Sequence, residues 1–156
     1  MLNSPAAPEQ MQALVGRWIG KGEVFANPFG PAGRSQGVWE FRIDGPGLHL
    51  IHDYRETRSD GYVFEGHGIF AIDPSTGEFV WYWFDTYGHP PLSPARGNWR
   101  GRILQLEKIT ARGIGRTRFG LEDGRLVHDV ETRSPGADDF VPVTHAVFER
   151  ETDDVR

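Results

Sequence analysis

A chain of 156 residues with 17 Lys and Arg against 22 Asp and Glu carries a net charge of −5, with both signs spread along its length. That argues against a nucleic-acid groove or an anionic membrane surface as partner, since either needs a clustered basic face. The absence of cysteine removes disulfides, thiol chemistry and a cysteine zinc site, and no apolar run approaches the roughly 20 residues of a membrane helix.

Twenty glycines and 11 prolines without a repeat period, beside 12% aromatic residues, describe many turns around an aromatic core. One domain is expected at this length. The first residues show no basic stretch followed by an apolar run, so no signal peptide is read and the expected location is the cytoplasm.

In chain order, Met1 to Pro8 is expected to be a loose arm, residues 9–150 a single barrel domain and residues 151–156 an acidic tail. After Pro8, residues Met11, Leu14 and Val15 fall at i, i+3 and i+4, one face of a short helix. Pro8 suits its first position, Glu9 is favourable in its first turn, and Gly16 ends it. A first strand then runs to Phe25 with Trp18 facing inward. The loop from Ala26 to Gly33 is too long for a tight hairpin.

From Gly37 to Ile43 the pattern alternates, placing Trp39, Phe41 and Ile43 on one face. Leu48 to Glu56 follows, with Leu48, Leu50, His52 and Tyr54 sharing a face. Tyr62 to Ile72 places Phe64, Gly66, Gly68 and Phe70 together, and the glycine pair marks a bend or a close backbone approach. Glu78 to Asp85 is apolar on both faces, which makes its outer side a candidate homodimer surface. Gly88 to Pro94 reads as a rigid loop at a barrel mouth or bottom.

Four further strands are read at 97–101, 103–107, 113–121 and 126–132, the last with Leu126, His128 and Val130 on one face. The final strand runs from Phe140 to Arg150, with Pro142 tolerated near its start or on an edge. Short strands joined by hairpin turns predict an all-β fold: an antiparallel up-and-down β-barrel of about ten strands with one short N-terminal helix, closed to avoid bare edges.

Three stretches resemble known families. Gly16-Arg17-Trp18 is similar to the Gly-x-Trp opening of lipocalin and fatty-acid-binding-protein barrels of the calycin superfamily. That likeness implies that Trp18 closes one barrel end and that a late arginine, here Arg150, packs over it. From Gly66 to Glu107 the chain resembles an uncharacterised bacterial domain-of-unknown-function family of calycin-like barrels, which implies the barrel and no catalytic residues. Pro142 to Phe148 is similar to the last strand of nitrobindin-like proteins, which implies His145 as an axial haem ligand. That family's early Tyr-Pro region is absent here, and Gly-Ile-Phe-Ala at residues 68–71 replaces its Gly-Phe-Leu-Arg.

The residues themselves point to a cavity walled by Trp39, Phe41, Trp81 and Trp83, with His52, Tyr54, Asp85 and Glu131 as polar groups and His145 on the closing strand. Apolar walls with a few convergent polar groups are how small-molecule sites are built. His49 and His52, three apart on a strand, point to opposite faces and do not chelate one metal. Arg96, Arg100, Arg102, Arg112, Arg116 and Arg118 read as a solvated exterior.

The expected function is therefore non-enzymatic binding of a small apolar or amphipathic ligand inside the barrel, with no cofactor and no metal. The alternatives are a haem-binding barrel using His145 and a small enzyme pairing an in-barrel His52 with Asp85.

Overall fold

The computed structural model describes residues 9–27, 30–45 and 47–152. The expected arm, parts of two loops and most of the acidic tail lie outside them. Among these residues one short helix, α1 (Glu9–Leu14), precedes ten strands: β1 (Gly16–Val24), β2 (Gly33–Ile43), β3 (Leu50–Arg58), β4 (Val63–Ile72) and β5 (Phe79–Asp85), then β6 (Ala95–Arg100), β7 (Ile103–Thr110), β8 (Gly113–Glu122), β9 (Arg125–Arg133) and β10 (Val141–Arg150). Each strand pairs antiparallel with the next, and β10 pairs with β1, so the sheet closes into a barrel. Closure satisfies the edge hydrogen-bonding groups that an open sheet leaves exposed.

The period-2 alternation decides what fills the barrel. On β2 and β3 the inward residues Trp39, Phe41, Leu50, His52 and Tyr54 are buried, while Asp53 and Arg55 face solvent. Register places Trp39 opposite Tyr54 and Phe41 opposite His52. The rings stack there, with the Trp39 and Tyr54 centroids 4.3 Å apart. β3 starts two residues later than the sequence pattern suggests, because Asp44 accepts hydrogen bonds from the His49 backbone and ring and holds that corner as a turn. Leu48 consequently sits outside the core, 41% exposed.

Gly66 and Gly68 are a close approach of side chains to the sheet. A Cβ on Gly66 would lie 1.9 Å from the Trp83 ring, and one on Gly68 2.4 Å from His52 Nε2. The two glycines let large rings from β3 and β5 lie flat against β4.

One end of the barrel is plugged. Met11 and Leu14 of α1 are fully buried over it, each stabilising the fold by about 1.5–3 kcal/mol. Trp18 Nε1 donates to the Leu14 carbonyl at 2.9 Å. The Arg150 guanidinium lies 4.4 Å over the Trp18 ring and donates to the Ala13 carbonyl at 2.6 Å. A six-residue helix is too short to persist alone, and these contacts are what dock it.

Candidate binding site at the open end of the barrel

The opposite end is hollow. A cavity of about 430 Å³ opens there, floored by Trp39, Tyr54, Trp81, Trp83 and His128. Its size is that of a small-ligand site. The space exists because the inward residues of β8 shrink along the strand, from Leu121 and Phe119 through Thr117 to Gly115 and Gly113. Thr132 and Val130 of β9 continue the small wall.

The wall is also incomplete at this end. β6 meets β5 only at Phe79, Val80 and Trp81, and meets β7 only as far as Glu107. Tyr82 to Asp85 and Lys108 to Thr110 therefore face each other across a gap that β6 does not fill. Asp85, Tyr87 and His89 line one lip of the mouth, and Lys108, Thr110 and Arg112 the other. Tyr82 and Phe84, on the outer side of β5, are 44% and 52% exposed.

Polar groups inside the mouth are organised by pairing. Glu56 is buried; it accepts from Tyr54 Oη and from Arg58 Nε, both at 2.7 Å. Burial, and then the neighbouring Glu56 carboxylate, push the Tyr54 phenol well above its ordinary value, so it stays protonated. Asp85 accepts from Trp83 Nε1 and from the Tyr87 backbone, both at 2.9 Å. Burial, and then Arg112, hold the Lys108 amine below its usual value, against a smaller opposing pull from Asp85.

Two histidines lie inside the barrel and differ. His52 sits beneath the floor, its Nδ1 donating to the Leu50 carbonyl at 3.2 Å and its Nε2 accepting from Trp81 Nε1 at 2.8 Å. These partners fix a neutral tautomer, and burial depresses its pKa to about 3. His128 lines the cavity and stacks on Phe119, with ring centroids 4.8 Å apart. Its pKa is pulled down to about 4 by burial. Among the described residues neither His128 Nδ1 nor Trp39 Nε1 has a hydrogen-bond partner.

Of the residues the sequence nominates, Trp39, Tyr54, Trp81 and Trp83 meet at the cavity, and Asp85 lines its mouth. Phe41 stacks behind Trp39 at 5.3 Å and does not line it. His52 packs under the floor with both ring nitrogens engaged, and makes no hydrogen bond to Asp85.

His145 is on the outer wall, hydrogen-bonded to Asp129. Ala146 and Phe148 take the interior positions of β10, and a register shift between Pro142 and Thr144 makes Val143 an extra residue. Hence the valines flanking His145 do not mark an inward face. His145 offers no axial ligand to the cavity, and the donor set does not fit haem held there from β10. Glu131 likewise faces out, paired with Arg118 at 2.7 Å.

Lys108, Arg112, Glu56, Arg58 and His128 are cavity residues that the motifs do not announce. The alternation that makes Leu104 and Leu106 inward extends to Lys108, and that of Leu126 and Val130 includes His128.

Fold and cavity together define a calycin-like barrel with one plugged end and one hollow end. The chain belongs to the family described as protein of unknown function (DUF1579), which matches residues 5–108. No curated protein matches it in sequence. Its fold is similar to that of Rv2717c from M. tuberculosis, at 16% identity and TM-score 0.70, covering 94% of this chain and 99% of the other. It is also similar to the S-type phycobiliprotein lyase CPES from Guillardia theta, at 8% identity and TM-score 0.68, covering 92% of each. A third barrel, EF1p2_mFAP2b solved bound to DFHBI, aligns at 14% identity and TM-score 0.50, covering 90% of this chain and 95% of that one.

Proposed function

We propose that this barrel binds a small amphipathic molecule in its hollow end. The observation that carries the reading is the cavity itself: about 430 Å³, floored by three tryptophans and a tyrosine, with charged groups confined to its mouth. An aromatic floor supplies most of the binding free energy by excluding water, and polar groups at the rim orient the ligand. The likeness to a barrel solved with DFHBI bound supports a small-molecule role for the interior.

The test is a fluorescence titration with the neutral probe N-phenyl-naphthylamine. Saturable binding with one site per chain is expected, and Gly115→Leu should abolish it. A Cβ at Gly115 meets nothing within 4 Å, so a leucine there fills the cavity without displacing the sheet. Retained thermal stability with lost binding supports the reading. Absence of saturable binding, or binding unchanged in Gly115→Leu, overturns it.

A further inference from the structure

The charges at the mouth do not cancel. Three acidic residues contribute to the cavity lining: Glu56, Asp85 and Glu131. Glu56 is taken by Arg58 at 2.7 Å, and Glu131 turns outward to Arg118 at 2.7 Å and Arg116 at 3.5 Å. Asp85 remains, and it is already an acceptor for Trp83 and for the Tyr87 backbone. Against it stand two cations, Lys108 and Arg112, neither with a carboxylate within 4 Å among the described residues. The Arg112 side chain reaches the His89 ring, at 3.5 Å.

Placement makes the imbalance specific. Lys108 points into the barrel in line with Leu104 and Leu106, and its partner across the β7–β8 ladder is Gly115. Thr110, the next inward position, faces Gly113. Neither glycine has a side chain to fill the space beside the amine. Burial first, and then repulsion from the Arg112 charge, hold the Lys108 amine below its usual value. Bringing one negative charge between two such cations relieves that repulsion, so the free energy gained is realised only when an anion is bound.

We infer that the ligand is an organic anion, its apolar or aromatic body on Trp39, Trp81 and Trp83 and its carboxylate or sulfonate held at the mouth by Lys108 and Arg112. The inference rests on the binding reading above and goes further by assigning the charge of the ligand and the residues that select it.

The experiment compares two probes that differ by one group: anilinonaphthalene sulfonate and its neutral counterpart N-phenyl-naphthylamine. The sulfonate should bind at least about tenfold more tightly at low salt, with the preference shrinking as salt rises. The double variant Lys108→Met with Arg112→Gln should remove that preference and leave the neutral probe within about twofold. Arg118→Gln, on the outer wall, should leave the preference intact.

Equal binding of both probes by the unaltered protein overturns the charge assignment while the binding reading stands. A preference that survives the double variant, or that Arg118→Gln removes equally, overturns the assignment to Lys108 and Arg112. Failure of both probes to bind overturns the binding reading itself.

Discussion

The two ends of this barrel are made from the same ten strands and the same alternation, yet one is solid and the other hollow. At the plugged end the inward positions carry Trp18, Phe41, Phe70, Leu104, Leu121 and Phe148, and α1 lies across them. At the hollow end they carry Gly113, Gly115, Thr117, Val130 and Thr132. A barrel of this kind has an interior that side chains either fill or leave for one small ligand. Here the choice is made separately at each end by inward side-chain size. Large rings and α1 fill the plugged end, whereas small inward residues on β8 and β9 leave space above the aromatic floor at the other.

The sharpest way to break that division is to damage the plug and read the cavity. Trp18→Ala removes a side chain that is 1% exposed, packed between α1 and Arg150. The cost should be about 3–5 kcal/mol by urea unfolding, as for other buried aromatic truncations. Folded protein should still bind the neutral probe, because Trp18 contributes nothing to the cavity lining. Loss of binding in the folded variant would show that the two ends act as one unit.

Much of this division is legible in the sequence, and where it is not the reasons are physical. Alternation placed Trp39, His52, Tyr54, Phe70 and His128 on inward faces because a strand allows only two, and the closing strand carries Arg150 over Trp18 as the Gly-x-Trp likeness implies. Face assignment fails at His145. Its valine neighbours look apolar, but Val143 is the extra residue of the register shift and Val147 is a half-buried residue of the outer wall, so neither marks the face of His145 as inward.

The hollow is hidden for a different reason. Nothing local tells whether Thr117 and Gly115 are covered by rings from across the barrel; that depends on Tyr54 lying against Gly37 of β2 and Trp83 against Gly66 of β4. Lys108 is missed because the apolar pattern of its strand ends at Leu106, while the strand itself runs on to Thr110.

A second contrast, between the two interior histidines, sharpens the comparison through pH. In the folded barrel His52 and His128 stay neutral down to about 3 and about 4, against an ordinary value of 6.5. The unfolded chain takes up these protons as pH falls through about 6.5, so in that window the unfolded state binds more protons. Stability is then fully present above the unfolded value and declines as pH drops, by roughly 2 kcal/mol per pH unit between pH 6 and pH 5 for the pair.

Urea midpoints measured across that range should show the slope. His128→Phe should about halve it with little loss at pH 7, because its Nδ1 has no partner to orphan. His52→Phe should halve it too, but at a cost of about 1–3 kcal/mol at pH 7, since Trp81 Nε1 loses its acceptor. A slope unchanged in both variants would mean that other groups set the acid sensitivity.

The smallest expected effect probes how the plug is fastened. Arg150 contributes in two ways, through a stem lying along Trp18 and through a charge that faces the ring and donates to the Ala13 carbonyl. Arg150→Met keeps an apolar stem and removes the charge, at an expected cost of about 1 kcal/mol for one cation–ring contact and one exposed hydrogen bond. Because α1 is only six residues long and its C-terminal carbonyls depend on Arg150 and Trp18, that loss should appear first as local opening. Amide exchange should quicken across α1 while β2, β3 and β9 keep their protection. Arg150→Ala should add the loss of the stem and open α1 further. If exchange instead rises uniformly round the barrel, Arg150 clamps β10 to β1 rather than the helix to the plug, and the plugged end is held by strand pairing alone.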